Sequence, residues 1–239
     1  LGYAVFDLAT EAAPLAPAEA VAGAVTGDAA VLENRLLRVE LDAAGRVTRL
    51  WDKQAQREVV AAAQPANQLM LYEDRPNGWP AWDIDIHYME KATAIDTPAE
   101  MKLVENGPLR ACVEVRRPIG KASHLSQRIE LAAESMRVDF VTHVEWQEDQ
   151  VLLRVLHPVQ ILSPRATYEI QFGHVERPTH FNTSWDVARF EVCAQKWADL
   201  SEPGYGVALL NATKYGHSCH GNVLGLSLLR APIEPDPKA

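Results

Sequence analysis

One signal repeats along almost the whole chain. Short stretches alternate apolar and polar residues, and turn residues separate them. Met136 to Trp146 is the clearest: Met136, Val138, Phe140, Val144 and Trp146 take one side, Arg137, Asp139, His143 and Glu145 the other. A period of two belongs to a strand with one buried face, because successive strand side chains point to opposite sides. Leu37, Val39 and Leu41 show it, as do Ala111, Val113 and Val115, and Leu125, Ile129 and Leu131. Further strands are expected at Val151 to Leu156, Thr167 to Phe172, Arg189 to Ala194, Tyr205 to Leu210 and Val223 to Leu229. Asp42-Ala43-Ala44-Gly45 turns the first hairpin, Gly45 supplying a positive φ. No amphipathic helix competes, apart from a weak candidate at Ala55 to Ala63. Many short strands with turns between them indicate an all-β sandwich.

Composition narrows the function. The net charge of −9 argues against nucleic acid, which needs a basic face for its phosphates. No apolar run approaches the roughly 20 residues of a membrane span, and no signal peptide opens the sequence. Three widely spaced cysteines make no disulfide framework, which suits reduced thiols and a cytoplasmic home. Residues 1–30 read as a strand, Leu1 to Leu8, and an Ala- and Pro-rich linker. Residues 31–239 read as the β-domain, with both ends of the chain looking cut.

Four stretches carry the polar and aromatic residues that chemistry needs. In Trp79 to Tyr88, WPAWDIDIHY, a strand would put Asp83, Asp85 and His87 on one face and Trp82, Ile84, Ile86 and Tyr88 on the other. Same-face neighbours stand roughly 6.5–7 Å apart, too far for three to share an ion at about 2 Å. That stretch therefore reads as a solvated polar face flanked by rings that suit a sugar. His217-x-Cys219-His220 lacks the second ligand pair of a zinc site and reads as a polar turn. Tyr168 with the His174-to-His180 loop offers hydrogen-bond donors for hydroxyls. Thr179 to Gly216 mixes tryptophans with charges, as a loop that plugs a sandwich end or lines a site would. No nucleophile elbow, phosphate loop or H-E-x-x-H helix is present.

The run SWDVARFEVCAQKWADLSEPGYGVALLNATKYG, followed by GNVLGLSLLRAPIEPDP, resembles the C-terminal β-domain of the family 38 glycoside hydrolases, the α-mannosidases of the cytosolic and vacuolar type. LGYAVFDL, LENRLLRVELDAAGRVTRLWDKQAQREVV and AWDIDIHY extend the likeness over nearly the whole chain. The resemblance implies a large antiparallel β-supersandwich like that of the galactose mutarotases. It implies hydrolysis of terminal α-mannosides with retention, by a zinc site and an aspartate nucleophile in an N-terminal catalytic domain of the same polypeptide. This segment then needs no cofactor or metal of its own and has no catalytic residue. Its loops would touch a mannose-containing oligosaccharide through Tyr168, Arg177, His180, Lys214, Tyr215 and Asp83. The chain departs from the family pattern at Phe181, Gln195 and His217-Ser218, where a basic residue, a histidine and an aromatic-acidic pair are expected. An autonomous carbohydrate-binding module and a mutarotase-like epimerase are the other readings.

Overall fold

The computed structural model describes residues 21–233. In chain order the strands are β1 (Ala22–Thr26), β2 (Ala29–Glu33), β3 (Leu37–Leu41), β4 (Val47–Asp52), β5 (Arg57–Glu58), β6 (Gln68–Glu73), β7 (Ala92–Ala94), β8 (Glu100–Asn106), β9 (Arg110–Ile119) and β10 (Ser123–Ala132). They continue with β11 (Val138–Glu145), β12 (Val151–Pro158), β13 (Arg165–Ile170), β14 (Gly173–Pro178), β15 (Val192–Cys193), β16 (Trp197–Glu202), β17 (Tyr205–Leu210), β18 (Gly216–His220) and β19 (Val223–Arg230). A 3₁₀ turn covers Ile86–Glu90, and one short helix, α1, covers Ser184–Val187.

The strands do not form a single supersandwich. They divide into four antiparallel sheets, ordered β1-β2-β3-β4-β5, β11-β10-β9-β8, β15-β18-β19-β12-β6-β7 and β14-β13-β16-β17. The arrangement is propeller-like, and contacts between successive sheets account for it. Leu32, Val39 and Leu41 of the first sheet pack on Val113, Ile129 and Leu131 of the second. The far end of that second-sheet face, at Ile119 and Leu125, packs instead on Leu153, Val155 and Leu226 of the third. Cys219 and Leu224 of the third meet Tyr168 and Leu200 of the fourth. The fourth returns to the first: Tyr205 donates from its hydroxyl to Asp52 Oδ2 at 3.1 Å, and Arg57 pairs with Glu202 at 2.8 Å. Strands β9 and β10 have 10 residues each, long enough for one face to serve two neighbours.

Alternation along the strands holds in detail. Leu37, Val39 and Leu41 are buried, and so are Ala111, Val113, Val115, Leu125, Ile129 and Leu131. The Asp42 turn forms as the sequence predicts. Asp42 Oδ1 accepts from the amides of Ala44 and Arg46, both at 3.0 Å, and Gly45 has φ 70°. Other expectations fail. Met136 is 47% exposed, since β11 begins only at Val138. Ala55 to Ala63 holds turns and β5, not a helix, and Arg189 to Ala194 is strand only at Val192–Cys193. The linker reading ends at Ala22, where β1 begins and pairs with β2; the expected strand at Leu1 to Leu8 lies outside the described residues.

Trp79 to Tyr88 is not a strand. The amides of Trp82 and Asp83 both donate to Trp79 O at 2.9 Å, closing a turn that leads into the 3₁₀ segment. Pro76 and Pro80 remove two ladder donors, and Trp79 takes a φ of 54°. Asp83, Asp85 and His87 therefore share no face: Asp83 Oδ1 accepts from the Ile84 amide, Asp85 Oδ2 from the Asn77 amide, and His87 lies 3.5 Å from Glu90.

Candidate functional site

The third sheet contains a buried arginine. In VLLRVL of β12, the apolar neighbours of Arg154 point into two cores, and the guanidinium is 3% exposed. A buried charge must be paired and hydrogen-bonded. Arg154 Nη1 donates to the Tyr88 hydroxyl at 2.5 Å, and Nη2 to Ser218 Oγ on β18 at 2.7 Å. The Tyr88 hydroxyl in turn donates to Glu191 Oε2 at 3.2 Å, and Ser227 of β19 donates to Glu191 Oε1 at 2.5 Å. Glu191 itself lies 3.8 Å from Arg154. Burial, with Glu191 alongside, drives the Tyr88 phenol far above its usual range despite the opposing pull of Arg154. Gly225 leaves the room this needs, since a Cβ there would sit 3.0 Å from Arg154 Nη2. The network fastens β12, β18, β19 and the 3₁₀ segment to the Glu191 loop.

His217, beside Ser218, is fully buried against the edge of the Tyr168 ring, with centroids 6.5 Å apart. Its Nδ1 lies 3.1 Å from Tyr215 O, which only accepts, so Nδ1 carries the proton. Nε2 then accepts from Asn211 Nδ2 at 3.3 Å. Desolvation holds His217 below its usual range and keeps it neutral, although the Tyr215 carbonyl favours the charged form.

Four of the six sequence-predicted residues gather around this histidine. Tyr168 is buried, so its ring packs and does not face solvent. Arg177 on β14 lies over that ring at 6.0 Å. Tyr215 holds His217 through its carbonyl while its side chain is exposed, and Lys214 donates its amide to Asn211 Oδ1 at 2.6 Å. His180 lies near Arg177 in an open groove. Asp83 stands apart, its carbonyl accepting from Arg230.

The groove holds about 570 Å³ and is lined by Arg165, Glu176, Arg177, His180, Asp186 and Arg189, with Pro164, Val175 and Pro178. Its acidic wall follows from a Thr-x-x-Asp capping box. Thr183 Oγ1 accepts from the Asp186 amide at 3.2 Å, and Asp186 Oδ2 from the Thr183 amide at 3.0 Å, starting α1. Asp186 then lies 3.5 Å from His180 and 3.8 Å from Arg189. Arg177 Nε is buried and finds no acceptor among the described residues. Three arginines and two carboxylates in an open groove can hold hydroxyls or an anion. The residues missed in the sequence are Arg154, Glu191, Asp186 and Arg189. A lone arginine inside an apolar strand and the capping box were the available signals.

No zinc cradle forms. The His217-to-His220 stretch is strand β18, not a turn; His217 is committed as above, and His220 Nε2 donates to Phe190 O at 2.7 Å. Among the described residues no group of three or more His, Cys, Asp and Glu is placed to hold a metal ion. No helix among them is long and apolar enough to cross a membrane.

Residues 32–238 match the family described as "Glycosyl hydrolases family 38 C-terminal domain". The chain belongs to this family. The family 38 domain is 43% identical to human "Alpha-mannosidase 2C1" over all of its own length and 23% of that protein. It is 45% identical to "Alpha-mannosidase G" of Dictyostelium discoideum, over 86% of the domain and 19% of the relative. It thus spans under a quarter of the length of these relatives. A solved α-mannosidase from Enterococcus faecalis shares the fold of the domain, with a TM-score of 0.72 over 84% of the domain at 15% identity.

Proposed function

We propose that this domain is the C-terminal, non-catalytic part of a longer α-mannosidase, whose catalytic residues and zinc lie in the N-terminal part of the same polypeptide. One observation carries the reading: the match to a protein named as an α-mannosidase runs through the whole chain yet fills 23% of that relative. The polypeptide would act on terminal α-mannosides with retention, in the cytoplasm, where Cys112, Cys193 and Cys219 stay free.

The groove is the domain's contribution to the substrate cleft. Arg177 and His180 would bind mannose hydroxyls there. Tyr168, Lys214 and Tyr215 support Arg177 and the neighbouring turn from beneath, and Asp83 belongs to a separate loop. The test is activity on an aryl α-mannoside and on a mannose oligosaccharide, together with zinc content, for the longer polypeptide and for the 239-residue chain. The longer polypeptide should be active and zinc-loaded, and the chain alone inactive and zinc-free. Arg177→Met in the longer polypeptide should raise KM for the oligosaccharide more than for the aryl mannoside. Enzyme-like turnover by the chain alone would end the proposal.

A further inference from the structure

We infer that the face bearing Trp79, Trp82, Phe181 and Trp185 is the surface on which the remainder of the longer polypeptide packs. The inference rests on the proposed function above. Trp79, Trp82 and Trp185 are 74%, 68% and 76% exposed. Three tryptophans left open to water mark an interaction surface, and tryptophan is prominent among the anchors of interfaces.

The segments that carry these rings are anchored on either side of one aromatic contact. The Phe190 ring packs on Tyr88 with centroids 6.1 Å apart. On one side, the Phe181 ring packs at a tilt of 45° against His220, centroids 4.4 Å apart, and His220 is bonded to the Phe190 carbonyl. Trp185 lies on α1, which the capping box fixes. On the other side, Ile84 packs against the Tyr88 cluster, and the loop before it carries Trp79 and Trp82. Arg230 fastens that loop by donating to Asp74 and to the Asp83 carbonyl. Segments already anchored lose little backbone entropy when a partner covers them.

The length of chain outside this domain identifies the occupant. The domain accounts for 23% of the human relative, so most of such a polypeptide lies elsewhere, tethered and at high effective concentration. A sugar is the weaker occupant: Trp79 and Trp82 stand at 70° to each other and offer no common plane for stacking. The groove opens beside Phe181 and Trp185, through His180 and Asp186, so a partner seated on the rings would turn it into one wall of a cleft.

Hydroxyl-radical footprinting with mass spectrometry tests this on the 239-residue chain and on the longer α-mannosidase, after its turnover has been measured. Leu109, 69% exposed in the turn between β8 and β9 of the second sheet, is the reference. Trp79, Trp82 and Trp185 should be oxidised in the chain and should lose that reactivity in the longer polypeptide, while Leu109 reacts in both. Within the longer polypeptide alone, the three tryptophans should be less oxidised than Leu109, a comparison that does not depend on the isolated chain folding. An active α-mannosidase whose tryptophans oxidise as fast as those of the chain overturns the inference and leaves the proposed function standing. Protection of the chain by added mannobiose, or by raising its own concentration, overturns it in favour of a sugar platform or a second copy. A longer polypeptide without mannosidase activity overturns the proposed function itself.

Discussion

The Tyr88 hydroxyl accepts from Arg154 at 2.5 Å across 66 residues of sequence, and donates onward to Glu191. One phenol thus links a buried cation to a buried anion. Tyr88→Phe removes both bonds but keeps the ring on Tyr72 and Phe190. It should cost about 1–3 kcal/mol, the penalty for leaving buried polar groups short of partners. Urea unfolding should show a lower midpoint at unchanged slope.

Arg154→Met leaves the nearly buried Glu191 with Tyr88 and Ser227 but without its counter-charge, and breaking such a pair from one side costs up to about 3–5 kcal/mol. Adding Glu191→Gln should recover part of the loss. The double variant should then be more stable than the sum of the single losses predicts. Additive losses would show that the two groups are energetically separate.

Acid should destabilise the domain through its histidines. Desolvation lowers His157 from 6.5 to about 4, and it also lowers His217 and His220. Between the unfolded value near 6.5 and the folded value, the unfolded chain binds protons that the native state refuses. Stability is therefore insensitive to these groups above pH 6.5 and falls as pH drops toward 4, with His157 alone worth about 2 kcal/mol at pH 5. His157→Gln should flatten this part of a stability-against-pH curve. An unchanged slope would show that carboxylates account for the whole acid limb.

Two turn glycines should respond differently to alanine. Gly45 combines φ +70° with a Cβ position only 2.7 Å from Val115 Cγ1, so Gly45→Ala meets backbone strain and a core clash. Gly27 has φ +59° and open space around it. Gly27→Ala should cost about 1 kcal/mol from its backbone alone, and Gly45→Ala clearly more, by thermal or urea unfolding.

Legibility in the sequence followed the physics of each element. Period-two alternation identified the buried faces of β3, β9 and β10, because a strand with one wet side leaves that trace. Alternation says nothing about what covers a face, so the two-partner surface running from Leu131 to Leu125 looked like one wall of a single sandwich. In WPAWDIDIHY the same alternation misled: Pro80 denies the ladder a donor, and from the turn Ile84 and Tyr88 face a core while Trp79 and Trp82 stay exposed. The candidate site was legible as a neighbourhood, not as contacts. Tyr168, Arg177, His180, Lys214 and Tyr215 do converge on one region, but whether a tyrosine faces water or a buried histidine is decided by β18, which read as a turn. Arg154 stood in the sequence as a lone charge in an apolar run; its partners lie on the 3₁₀ segment, β18 and the Glu191 loop, which no local pattern joins.

The third sheet sets an order of events during synthesis. Its central strand β19, the last of the described strands, lies between β18 and β12, and its Arg230 reaches Asp74 across 156 residues. A ribosome can release β1 to β5 and β8 to β11 to pair among themselves while β12 still lacks its neighbour. The apolar edge of β12 stays open until β19 leaves the exit tunnel, a window in which chaperones or aggregation compete for the chain. Premature stops ahead of Val223 should therefore yield insoluble protein, not a smaller working domain.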